Sequence, residues 1–181
     1  MERNLVLVAL FAALIAVLGL VPPLTLISGV PISAQSLGVM LAGCVLGSKR
    51  GALAVLLFLA LVAIGLPVLS GGRGGLGVFA SPTAGFLVAF PIAAFVTGCV
   101  CELWTRPRPE IPAFAGCLLG GIVVMYAIGT IGMMLTLDLT FPKAAALNLP
   151  FIPGDLVKAA IAAFLTGAIW KARPHLLSYR D

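Results

Sequence analysis

Charge is what this sequence has least of. Of 181 residues only 11 are Lys or Arg and 6 are Asp or Glu, 9% together, while 61% are hydrophobic. A soluble domain is nearer a quarter charged and half apolar, so this chain has too little polar surface to cover itself in water. With a mean hydropathy of +1.20 it belongs to the membrane class. The net charge of +5 does not point to nucleic acid, because the basic residues are spread along the chain and form no dense patch. Histidine is almost missing: His175 is the only one, and it sits in a basic tail with no partner for catalysis or metal binding. Ser/His/Asp and HExxH arrangements and paired carboxylates are lacking, so nothing marks an enzyme, a metal or a cofactor. No GxxxxGK[ST] occurs, which excludes ATP use by a phosphate-binding loop. The four cysteines, Cys44, Cys99, Cys101 and Cys117, lie inside apolar runs and read as small hydrophobic fillers. Cys99 and Cys101 would point ~200° apart on a helix and share a metal poorly.

What the chain does have is apolar runs. Six are expected to be transmembrane helices, near residues 5–21, 34–48, 52–70, 83–104, 113–137 and 153–172. Each is close to the ~20 residues that cross a bilayer, the second being short, and in lipid only a helix satisfies its own backbone. The connections are short, so the whole chain, 1–181, reads as one all-α membrane domain. The first run resembles a signal peptide, but one Arg beside a Glu and no small-x-small site argue for retention. Arg3, Lys49, Arg50, Arg106, Arg108, Lys171, Arg173 and Arg180 fall on one side of these spans, and only Arg73 and Lys143 on the other. This bias predicts a multi-pass protein of the cell (inner) membrane with both termini in the cytoplasm. The three outer connections are long, rich in Gly and Pro, apolar and nearly uncharged. Such loops are expected to lie back over the bundle as a lid.

One acid and one base break the pattern. In "NLPFIPGDLVKAAIAAF" Asp155 and Lys158 stand three residues apart at the start of the last span, on one face and about one turn in. Ionisable groups there cost free energy and face the interior, where they pair or bind something. The bland reading is a structural ion pair or a charge at a helix N-terminus. The functional one is a neutral head group with both N–H and C=O, such as a cyclic urea. "SGGRGGLGVFASPTAGFL" contains a literal GxGxxG, Gly72 to Gly77, but lacks the βαβ context a dinucleotide fingerprint needs. Its only charge, Arg73, suits a ligand carboxylate, and glycines such as Gly74 let backbone approach a ligand closely. Helix 1 carries small residues four apart, Ala9 with Ala13 and Ala12 with Ala16, a face for close helix packing inside the chain or against another membrane protein. Gln35, Tyr126, Asp138 and Asn148 complete the polar set, with capping or loop satisfaction as the plain alternative for all but Tyr126.

Taken together, "VPISAQSLGVMLAGCVLGSKRG", "GLPVLSGGRGGLGVFASPTAGFL" and "LPFIPGDLVKAAIAA" resemble BioY, the biotin-binding S component of energy-coupling-factor (ECF) transporters, with order and spacing kept across almost the whole chain. The resemblance implies six membrane helices and biotin bound from outside. It also implies a membrane scaffold (T component) and ABC-type ATPase subunits as partners, with nucleic acid playing no part. The family's last-helix acid and base fall on Asp155 and Lys158 and would contact the ureido ring. Arg73 and Gly74 fall in its binding loop, and its scaffold-docking alanines on Ala9, Ala12, Ala13 and Ala16. Where family members often have "PTGGY" this chain has "PTAGF", so Phe86 brings no hydroxyl. Leu87 follows it, so the basic contact there must come from elsewhere, and Arg73 is the candidate.

These residues predict a substrate-capture subunit: Asp155 and Lys158 at one end of a site, apolar walls, Arg73 at the other, and ATP hydrolysis borrowed from partners. The alternatives are the same architecture for another small vitamin, or a self-sufficient carrier with Asp155 as its proton site. The second expects internal repeats, and no convincing ones occur.

Overall fold

The computed structural model describes residues 2–25, 31–104, 107–177 and 179. The elements are α1 (Glu2–Leu18), a two-residue antiparallel ribbon of β1 (Leu24–Thr25) and β2 (Pro31–Ile32), α2 (Gln35–Leu46), α3 (Ser48–Ala63) and α4 (Ala84–Leu103). Then come α5 (Glu110–Leu118), α6 (Met125–Leu137), α7 (Phe141–Ala146) and α8 (Ile152–Ala172). A π-helical segment, Leu119–Val124, joins α5 to α6, so residues 110–137 form one rod. The helical class expected from the apolar runs holds.

Among the described residues, three helical stretches are long and apolar enough to cross a membrane: Ala84–Leu103, Glu110–Leu137 and Phe141–Ala172. Large apolar side chains such as Leu5, Leu10, Val88, Leu135 and Phe164 stand exposed on the outside. In water this surface would be unfavourable at roughly 25 cal/mol per Å²; against lipid tails it is not.

The centre of the bundle is α2, where every residue but Leu37 is buried. At 12 residues it rises only ~18 Å. Gln35 and Ser36 of its first turn are buried inside the bundle. Close packing around it depends on small residues. A Cβ on Gly98 of α4 would collide with the backbone of Gly47 and Ser48, and Gly85 of α4 meets Gly132 of α6 backbone to backbone. The α2–α3 corner turns at Gly47, φ 81°. There the Glu102 carboxylate of α4 accepts from Ser48 N (2.7 Å) and Oγ (2.8 Å), capping the first turn of α3. The π segment contains Gly120 and Gly121. Next to it the Thr97 hydroxyl donates to Gly116 O at 3.1 Å, satisfying a carbonyl beside the bulge.

Several boundaries differ from those read in the sequence. α3 ends at Ala63 rather than near 70, because Gly65 turns at φ 108° and Pro67 cannot continue a helix. Hydropathy runs on through this segment and hides the break. α1 stops at Leu18, and α7 is an extra short helix in the last connection. Arg3, Lys49, Arg50, Arg108, Lys171 and Arg173 all gather at the end that holds the α2–α3 and α4–α5 turns, opposite Arg73 and Lys143. Arg106 and Arg180 lie outside the described residues.

Candidate functional site

At the end away from the basic turns the helices enclose a cavity of about 60 Å³. Its polar side is built on α8 and α2. One turn into α8, Asp155 is buried, and Lys158 one turn on reaches back to it at 2.8 Å, the i,i+3 contact. The lysine's other two donors go to Ser36 Oγ (2.9 Å) and Ser33 O (2.7 Å), at the start of α2. Ser36 donates to Asp155 Oδ1 at 3.2 Å. Tyr126 of α6 donates to the other oxygen, Oδ2, at 2.6 Å. All three ammonium hydrogens are thus engaged. The carboxylate, with about four lone-pair positions, has taken three donors and keeps a place for one more on Oδ2. An acid and a base held in a satisfied network at low exposure form a rigid recognition edge. They offer one open acceptor position, on Asp155 Oδ2, beside an ammonium whose donors are all engaged within the protein.

The middle of the cavity is apolar: Leu69, Phe86, Leu87, Phe90, Met125 and Phe151. Phe86 and Phe151 pack with ring centroids 6.3 Å apart at 32°. Gly129 makes room for the Phe86 ring, which a Cβ there would strike.

The third side is the connection after α3. Leu69 and Arg73 pair backbone to backbone, closing a tight turn through Gly71 and Gly72, both at positive φ, where glycine is at no steric cost. Leu69, Ser70, Val78 and Thr83 are buried, so this loop does lie down on the bundle. Arg73 donates from Nε to Ser70 O (3.2 Å) and from Nη1 to Thr83 Oγ1 (3.3 Å), leaving three of its five N–H groups. Burial lowers the pKa of its guanidinium from the ordinary value. An arriving carboxylate would offset the cost of that desolvated charge.

The cavity wall thus brings together Asp155, Lys158, Arg73, Phe86, Gln35 and Tyr126 of the residues singled out in the sequence. Gly74 stands apart from it. A Cβ there would collide with the Leu66 carbonyl, so this glycine serves an approach of backbone to backbone. Gln35 lines the wall with its amide already engaged by Ile15 O, Val68 O and Ser70 N. Asp138 is exposed at the left-handed end of α6 (φ 52°). Asn148 donates to Thr130 Oγ1 at 2.6 Å, away from the cavity. The GxGxxG leads into a short 3-10 turn, Leu76–Ala80, with no strand–helix unit around it. The paired alanines of α1 split: Ala12 is buried, Ala16 half-buried, and Ala9 and Ala13 exposed.

Sequence reasoning missed Ser33, Ser36, Ser70 and Thr83. Ser36 bonds to both the acid and the base, and Ser70 Oγ is buried without a hydrogen-bond partner. Only the spacing "PISAQS", polar residues opening a buried helix, hinted at the first two.

Residues 2–175 match the model of the BioY family. The chain is 53% identical to the biotin transporter BioY of Rhodobacter capsulatus over 99% of its own length and all of the relative's. It is 43% identical to the probable biotin transporter BioY of Bacillus subtilis, over 91% of this chain and 89% of that one. Among solved structures, the S-component for biotin from an ECF-type ABC transporter superimposes with a TM-score of 0.88 at 32% identity, covering 94% of this chain and 92% of the other.

Proposed function

The chain belongs to the BioY family, and from that premise we propose that it captures biotin as the substrate-specific subunit of an ECF-type transporter. Biotin joins a cyclic urea to an aliphatic tail ending in a carboxylate. The observation that carries the reading is the Asp155–Lys158 pair at 2.8 Å, set at one side of an aromatic cavity with Arg73 on another. The free place on Asp155 Oδ2 takes a urea N–H. Lys158 gives the urea carbonyl a donor by releasing Ser33 O or Ser36. The bicycle lies against Phe86, Phe90 and Phe151, and the tail carboxylate meets Arg73, which is basic where Leu87 is not. Ser70 adds its unused hydroxyl.

The topology that fits is six membrane spans: α1, α2, α3, α4, the α5–α6 rod and α8. Both termini are then cytoplasmic by the bias of basic residues, and the cavity opens to the outside. Ala9 and Ala13, exposed on α1, form a flat face for a membrane scaffold subunit, and ATPase subunits supply the work. Biotin uptake by cells making this chain with and without those subunits tests the assignment. Uptake that needs the partners, while binding does not, supports it; equal uptake by the chain alone points to a self-sufficient carrier.

A further inference from the structure

Gln35 is 1% exposed and sits where three parts of the chain meet. Its Nε2 donates to Ile15 O of α1 (3.1 Å) and to Val68 O of the loop after α3 (3.0 Å). Its Oε1 accepts from Ser70 N at 2.9 Å. The amide has one possible orientation: turned over, it would set oxygen against two carbonyls and nitrogen against an N–H. Both donors are spent, so Gln35 has no N–H to offer a ligand. From Ser70 the chain of contacts continues to Arg73 Nε (3.2 Å) and from Arg73 to Thr83 (3.3 Å). The end of α1 is shaped to the same junction. A Cβ on Gly19 would collide with Val68 O and come within 2.8 Å of Gln35 Nε2.

We infer that Gln35 is a positioning residue, a clasp that holds the Leu69–Arg73 turn shut over the cavity and fastens it to the end of α1. Residence of the ligand and the placement of α1 then depend on each other, because a linkage between two sites runs equally in both directions. This rests on the cavity being the ligand site proposed above. The clasp itself needs only the three hydrogen bonds and Gly19.

The test uses the full chain in lipid nanodiscs and trypsin, since Arg73 is the only basic residue in that loop. The cut after Arg73 is followed by mass spectrometry without ligand, and the association and dissociation rates of biotin are measured alongside. Gln35→Leu is expected to speed the cut about tenfold, as a locally opened turn does. It should speed biotin dissociation by about as much while association changes less than about threefold. Gly19→Ala, which leaves Gln35 in place and presses on the clasp from α1, is expected to move both rates the same way. It carries the test alone if Gln35→Leu does not fold. An unchanged rate of cutting in folded variants overturns the clasp. So does biotin loss confined to Gln35→Leu with Gly19→Ala behaving as the natural chain, since Gln35 would then act on the ligand directly. If the natural chain binds no biotin, the proposed function fails, and the cutting rates still decide the clasp.

Discussion

Tyr126 and Asp155 meet across the bundle at 2.6 Å, phenol to carboxylate. The bond ties the long α5–α6 rod to α8 at the depth where the cavity begins. It also divides the carboxylate: Oδ1 is held by Lys158 and Ser36, while Oδ2 is held by Tyr126 and left open on one side. A hydrogen bond to a buried charge contributes ~1.5–3 kcal/mol. Tyr126→Phe is expected to lower stability by about that much, read as a fall in the midpoint of unfolding in detergent. An unchanged midpoint would mean that Lys158 and Ser36 hold the acid unaided.

Arg73 can be tested through the ligand as well as the protein. Arg73→Ala should weaken biotin binding ~10–100-fold, the worth of a charge-assisted contact. For biotin amide, which lacks the carboxylate, the same substitution should cost less than about threefold. Equal losses for both ligands would move Arg73 away from the tail.

Ser70 makes the opposite kind of prediction. Its hydroxyl is buried and unpartnered, which costs the ligand-free protein free energy. Ser70→Ala should leave stability equal or slightly higher and weaken biotin ~2–10-fold. A stability loss with unaltered affinity would show that the hydroxyl serves the loop.

Much of this was legible in the sequence, for identifiable reasons. Asp155 and Lys158 stand out because charge is scarce and i,i+3 spacing fixes their facing. Arg73 stands out as the one charge in an apolar loop. The serines do not. Ser36 lies 119 residues from Asp155 in the chain, and no local pattern reports a contact that only packing creates. Gln35 was legible as polar and misplaced, but its use as a bridge between α1 and the loop required three carbonyl and amide positions that no periodicity encodes. Gly74 illustrates the converse: a glycine in a binding loop suggests room for a ligand, and here the room is taken by Leu66. The end of α3 was overrun because Leu66, Pro67, Val68 and Leu69 are as apolar as the helix before them.

The alanines of α1 divide between the core and the outer surface. Ala12 is 1% exposed and Ala13 faces outward. Ala12→Trp should overpack the core and cost ~1–3 kcal/mol or more. Ala13→Trp should leave folding and biotin binding intact while abolishing co-purification with the scaffold subunit expressed beside it. Undiminished co-purification would place docking on another face.

The most direct measurement is calorimetric titration of biotin into the purified chain in detergent, beside Asp155→Asn and Lys158→Met. Each substitution removes a hydrogen bond between a charged group and the urea, worth ~1.5–3 kcal/mol of binding. The account therefore predicts tight binding by the natural chain and a loss of ~10–100-fold in each variant, both still folded. Full affinity in both variants would contradict it, leaving Asp155 and Lys158 as a structural pair and the urea bound elsewhere.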